Sequence, residues 1–221
     1  MSKRVILLVE GQTEERFAKD VLVPHLSSRQ VWLTPTLLTT RRVKNGPNFK
    51  GGVTTFGKLK NDIARTLRGA GKDGLVTTLI DYYGLPKDCP GMDTRPPGAS
   101  PQARVHHVEE TLDGHIDDPR FKSFFALHEF EAWLFADHEA LPVLLHADER
   151  AHGAFTRIVE DFSCPEDIDE GPETAPSKRI AAIFPAYRKV FDGPNIANLI
   201  GLERIRERCP HFAAWLGWLE S

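Results

Sequence analysis

Cysteine is scarce: Cys89, Cys164 and Cys209 are the only three in 221 residues. An odd number of widely separated thiols makes no disulfide framework, and none is paired at metal-binding spacing, so a reducing compartment is expected. The adjacent His106 and His107 lack the i, i+4 spacing of a helical zinc site and read as surface residues. No apolar run approaches a membrane span and no charged-then-apolar leader opens the chain, so a soluble cytoplasmic protein without a membrane partner is expected. Neither sign of charge dominates, with 28 Lys+Arg against 31 Asp+Glu and a formal net charge of −3. That argues against a general basic coat for nucleic acid, but not against a local basic groove around an acidic centre. The glycine fingerprints of P-loop and Rossmann nucleotide sites are missing, which leaves a small-molecule phosphoryl-transfer enzyme or phosphatase without support. There is no internal repeat and no low-complexity tract.

What is present suffices for a sizeable α/β core or a core with a helical lobe, since 41% of the residues are hydrophobic and 27% charged. The organising stretch is Val5-Ile6-Leu7-Leu8-Val9-Glu10-Gly11-Gln12-Thr13-Glu14-Glu15. Five aliphatic residues closed by an acid and a glycine read as a strand buried on both faces. Glu10 then stands at the carboxyl edge of the sheet, where open α/β folds bind ligands, and no capping rule asks for an acid there. Thr13 can cap the helix that follows. Glu14 and Glu15 fall in its first turn, where acids suit the helix dipole; Glu15 reads as that alone, whereas Glu14 reads equally well as functional.

A helix is expected over Thr13 to Val23, ended by Pro24, then a strand over Val31 to Thr39. Arg41, Arg42, Lys44 and Lys50 follow on a glycine-bearing loop that should open onto the same edge as Glu10. They are candidate phosphate contacts, the alternative being a solvated loop. Thr54 to Arg68 reads as an amphipathic helix and Leu75 to Ile80 as a strand ended by Asp81, as Glu10 ends the first. Two strand-end acids on one edge repel each other unless a cation sits between them, and this pair is the main sequence evidence for a divalent metal. A long Pro- and Gly-rich loop from Tyr82 to Ser100 precedes a helix over Gln102 to His115. Phe121 to Leu127 reads as a strand running into His128-Glu129-Phe130-Glu131. In extended chain both carboxylates would point the same way, and in a helix they would diverge; either way the pair competes with a plain first-turn reading. Beyond Ala136 helices are expected at Leu141 to His146, Ala151 to Phe162, Ser177 to Val190 and Leu202 to Leu219. Ser177 is a candidate cap, and Lys178 and Arg179 stand at a helix start, where the dipole disfavours cations unless an anion or carboxylate cluster is near. The aromatic stretch Cys209 to Leu219 reads as packing or as a partner surface.

The set Val-Glu-Gly-Gln-Thr-Glu at Val9 to Glu14, Ile-Asp-Tyr-Tyr-Gly-Leu-Pro at Ile80 to Pro86, His-Glu-Phe-Glu-Ala-Trp-Leu-Phe at His128 to Phe135 and Pro-Ser-Lys-Arg-Ile at Pro176 to Ile180 carries a resemblance. Its first two-thirds resemble a Toprim domain, the metal-binding module of topoisomerases, primases and overcoming-lysogenization-defect nucleases. Nearly the whole chain resembles an uncharacterised bacterial Toprim-related family often encoded beside ABC-type ATPases in presumed defence systems. The resemblance implies a Toprim/Rossmann-like, mainly parallel sheet flanked by helices over residues 1–136, with a helical extension over 137–221. It implies Glu10 as general acid/base or metal ligand and Asp81 as the first carboxylate of the Toprim Asp-x-Asp. Tyr83 stands where the second aspartate belongs, so Glu129, with or without Glu131, would replace it. Lys178 would match the lysine that steadies the scissile phosphate.

The resulting expectation is a Mg2+- or Mn2+-dependent nuclease acting on DNA or RNA, the effector of a bacterial defence system with an ABC-type ATPase partner. Its metal residues would be Glu10, Glu14, Asp81, Glu129 and Glu131, with Glu10 and Lys178 catalytic. Phosphate would be held by Arg41, Arg42, Lys44, Lys50 and Arg179. The rival expectation is a non-catalytic subunit whose same edge binds a phosphate or a partner loop.

Overall fold

The computed structural model describes residues 2–39, 53, 55–168, 171 and 173–221. The basic loop carrying Arg41, Arg42, Lys44 and Lys50 lies outside them. The fold is α/β. Strands β1 (Lys3–Val9), β2 (Val31–Leu37), β3 (Gly74–Asp81), β4 (Phe121–Lys122) and β5 (Phe125–Ala126) form a parallel sheet in the order β2-β1-β3-β4, with β5 also paired to β3. From β1 the chain steps to β2 on one side, then returns through helix α3 (Phe56–Ala70) to β3 on the other. The order therefore reverses between β1 and β3, and the crevice beyond their carboxyl ends is the usual ligand position in such sheets.

Period-two alternation divides the core. Val5, Leu7 and Val9 point to one apolar cluster, while Leu8 points to another with Val76 and Ile80. Helix α3 and helix α4 (Pro101–Ile116) cover the second face through Leu59, Ile63, Leu67, Val105, Val108 and Leu112. The first face is covered by α1 (Gln12–Phe17), α2 (Val23–Ser27) and the C-terminal helices α5 (Ala140–Leu144), α6 (Glu149–Glu160), α7 (Pro176–Ile183), α8 (Lys189–Ile200), α9 (Leu202–Arg208) and α10 (Pro210–Glu220). The aromatic stretch of α10 is packing: Trp215 stacks on Phe124 with ring centroids 4.3 Å apart, and its indole N–H donates to Thr77 Oγ1 at 3.1 Å. Each such side chain contributes about 1.5–3 kcal/mol by leaving water. Among the described residues no helix is long and apolar enough to cross a membrane.

Several expected boundaries move for local reasons. The first helix does not stop at Pro24 but passes through a π-helical segment, Ala18–Leu22, into α2, because the widened turn accommodates a ring that has no N–H to give. The strand expected over Phe121 to Leu127 is interrupted. Thr78 Oγ1 both accepts the Phe124 N–H and donates to the Phe124 carbonyl, at 2.9 Å each, and so replaces ladder bonds there. The helix expected from Ser177 to Val190 is two helices, parted around Pro185, and the one expected from Leu202 to Leu219 is parted before Pro210.

Candidate acidic centre

Five carboxylates reach the crevice from three parts of the chain. Glu10 leaves the end of β1, and its Oε2 accepts the backbone N–H of Asp81 at 3.2 Å. Glu14, buried on the first turn of α1, curls back so that its Oε2 lies 3.0 Å from where a Cβ on Gly11 would stand. Asp81, ending β3, accepts the Phe130 N–H on Oδ1 at 3.1 Å. His128 then turns the chain with φ at 66°, a conformation rare outside glycine, and delivers Glu129 in extended form to the head of a 3-10 helix, Phe130–Asp137. Glu129 and Glu131 are 1% and 0% exposed.

Among the described residues one cation stands between them, the ammonium of Lys189, the first residue of α8. It lies 2.8 Å from Glu131 Oε2, 3.4 Å from Glu129 Oε2 and 3.7 Å from Asp81 Oδ2. Burial by itself would lower its pKa, but Glu131, Asp81 and Glu129 overrule that and hold the proton on. The acids remain under-compensated. Burial, then the charge of Asp81, pushes Glu10 up to about 7, and burial raises Glu14, Asp81 and Glu131 to about 7 against the pull of Lys189. Tyr187 donates its hydroxyl to Glu131 Oε1 at 3.2 Å, and the N–H of Ser177 donates to Glu129 Oε1.

Lys178 is exposed at the start of α7, and the lysine in contact with the acids is Lys189. Arg179 donates to the Thr174 carbonyl at 2.6 Å and lies over the Phe162 ring. Ser177 serves through its backbone, not as a side-chain cap. Lys189 and Tyr187 were not among the expected site residues. The signal for Lys189 is the one applied to Lys178, a cation at a helix start, and it becomes visible once Pro185 is read as ending the preceding helix.

Among the described residues no three His, Cys, Asp or Glu side chains are gathered as a ready-made metal site. The donor set nevertheless suits a hard divalent ion in kind: oxygen ligands only, an excess of negative charge, and close clearance at Gly84, where a Cβ would sit 3.2 Å from Glu10 Oε1.

A family model described as "Domain of unknown function (DUF4276)" matches residues 9–220. No curated protein matches. Among solved structures, the C-terminal region of the Burkholderia pseudomallei OLD protein is similar at 14% identity and a TM-score of 0.45, covering 100% of both chains. The C-terminal region of the Xanthomonas campestris pv. campestris OLD protein is similar in its mercury-phased form at 15% identity and a TM-score of 0.38, covering 99% of this chain and 98% of that one.

Proposed function

As the chain belongs to the DUF4276 family, whose description assigns no reaction, its activity is read from its own residues, and we propose that it is a Mg2+- or Mn2+-dependent nuclease. The observation that carries this reading is the meeting of Glu10, Glu14, Asp81, Glu129 and Glu131 in the switch-point crevice with, among the described residues, one ammonium between them. Glu10 and Glu14 are assigned to hold the cation, with Asp81, Glu129 and Glu131 adding the negative charge that draws it in. A divalent ion bound there would supply Lewis acidity to a phosphoryl oxygen and make water nucleophilic near neutral pH. In hydrolysis a water oxygen forms the new P–O bond, the ester P–O bond breaks and the departing oxygen takes a proton. Glu10, the least buried of the five acids, is assigned both to the cation and to the proton of the attacking water. Lys178 and Arg179 at the start of α7, with Arg41, Arg42, Lys44 and Lys50, are assigned to the phosphates. The motif resemblance adds an ABC-type ATPase partner and a defence role.

The test is cleavage of supercoiled plasmid, single-stranded DNA and RNA by the purified chain with Mn2+ and its ATPase partner, with loss of cutting in Glu10→Ala as the expected result. Failure to cut all three substrates would remove the nuclease reading. One observation favours a second reading, a non-catalytic subunit: the nearest cation to Asp81, Glu129 and Glu131 is the chain's own Lys189. Such a subunit would bind its partner equally well in wild type and Glu10→Ala and would take up no divalent metal.

A further inference from the structure

Carboxylates brought together repel one another unless a cation stands between them, and for Asp81, Glu129 and Glu131 that cation is the ammonium of Lys189. The ammonium engages Glu131 Oε2, Glu129 Oε2 and Asp81 Oδ2. The opposite oxygens are also taken: Asp81 Oδ1 by the Phe130 N–H, Glu129 Oε1 by the Ser177 N–H and Glu131 Oε1 by the Tyr187 hydroxyl. Asp81 Oδ1, Glu129 Oε1 and Glu131 Oε1 thus accept hydrogen bonds of the chain, while Asp81 Oδ2 and Glu131 Oε2 meet the ammonium as ion pairs alone. Their spacing around the ammonium, 2.8–3.7 Å, is that of an ion pair and wider than the roughly 2.1 Å of Mg2+–oxygen bonds.

Glu10 and Glu14 are differently placed. Glu10 Oε2 accepts the Asp81 N–H, and Oε1 has no donor among the described residues. Glu14 Oε2 lies over Gly11, close enough for its charge to be felt by that of Glu10. Lys189, moreover, opens α8, where the dipole opposes a positive charge, so only the surrounding acids hold it there.

We propose that Lys189 is a built-in cation standing in the seat of a second metal ion, so that the centre takes one divalent ion, on the Glu10 and Glu14 side, and not two. The inference rests on the metal-dependent reading above. Lys189 is a positioning residue in this scheme: its ammonium holds the carboxylates of Asp81, Glu129 and Glu131 together without a second ion.

The experiment counts Mn2+ bound per full chain from the electron-spin-resonance signal of free Mn2+, in wild type, Glu10→Gln, Lys178→Met, Lys189→Met and Lys189→Arg. The expected counts are one for wild type, Lys178→Met and Lys189→Arg, and two for Lys189→Met, with binding weakened at least tenfold in Glu10→Gln. Two ions in wild type, or one in Lys189→Met, would overturn the inference and leave metal dependence standing. No ion in wild type would overturn both. Where Lys189→Met does not fold, the wild-type and Lys189→Arg counts decide alone, two in either being the overturning result.

Discussion

Asp81 gives its backbone N–H to the Glu10 carboxylate across 3.2 Å, so the ends of β1 and β3 are joined by a side chain just past the last ladder bond. An amide oxygen accepts the same N–H, and Glu10→Gln therefore keeps the link while removing the charge. Because burial and Asp81 raise the folded pKa of Glu10 to about 7, its ionised form opposes folding at neutral pH. Glu10→Gln in chelator should be as stable as wild type, or more stable by on the order of 1 kcal/mol. Its Mn2+ affinity should fall at least tenfold. Thermal melting and Mn2+ titration check the two halves separately, and a variant that melts lower while binding metal normally would contradict the assignment of Glu10.

Gly84 ends the 3-10 turn Tyr82–Gly84, and a Cβ there would stand 3.2 Å and 3.3 Å from the two Glu10 oxygens. The side chain that must give way is the carboxylate itself. Gly84→Ala should consequently weaken Mn2+ binding several-fold while shifting stability by less than about 1 kcal/mol. Calorimetric titration beside a denaturant melt reads both numbers, and an unchanged metal affinity would show that the carboxylate has room to move.

The parts of this architecture legible in the chain are those set by short-range pattern. The apolar run Val5 to Val9 and its counterpart Leu75 to Ile80 announce strands covered on both faces, and the acids that close them mark the crevice. What was hidden depends on contacts distant in sequence. Thr78 takes over the ladder beside Phe124 with a side-chain hydroxyl, which no alternation of residues reveals. Glu129 and Glu131 reach the same ammonium from the head of a 3-10 helix, so neither the extended nor the α-helical expectation described them. Lys189 is obscured because the helical pattern runs on from Ser177 to Val190, whereas Pro185 divides two helices there.

Glu166, fully buried ahead of α10, accepts the N–H groups of His211 at 2.8 Å and Phe212 at 3.0 Å. It thus serves the orphan donors of a helix that carries Trp215 onto the sheet. Removing the carboxylate leaves two N–H groups without their acceptor, so Glu166→Ala should cost about 2–3 kcal/mol, and Glu166→Gln, which can accept only one of them through oxygen, less. Urea melts of the two variants test the order. Equal losses would mean that the carboxylate charge, which both variants remove, and not the number of N–H groups accepted, sets the cost.

His211 reaches from the start of α10 to Glu109 of α4, Nε2 to Oε1 at 3.0 Å, and Glu109 Oε1 also accepts the Phe125 N–H at 2.8 Å. Burial favours the neutral imidazole, but the hydrogen bond and charge of Glu109, with the charge of Glu166, outweigh it and raise the pKa above the ordinary histidine value. A raised folded pKa means that the folded state binds the proton more tightly than the unfolded chain. The stabilisation is therefore complete below the unfolded pKa of about 6.5 and is lost as pH rises through the folded pKa. His211→Gln keeps the backbone N–H that Glu166 caps and removes only the titrating ring. The stability gap between wild type and His211→Gln should be on the order of 1–2 kcal/mol in mildly acidic buffer and should narrow steadily toward alkaline pH. Paired urea melts across that range measure the gap directly. A gap that widens with pH would mean that the ring works in its neutral form, as packing against Phe124, whose ring centroid lies 5.0 Å away, and not as the partner of Glu109.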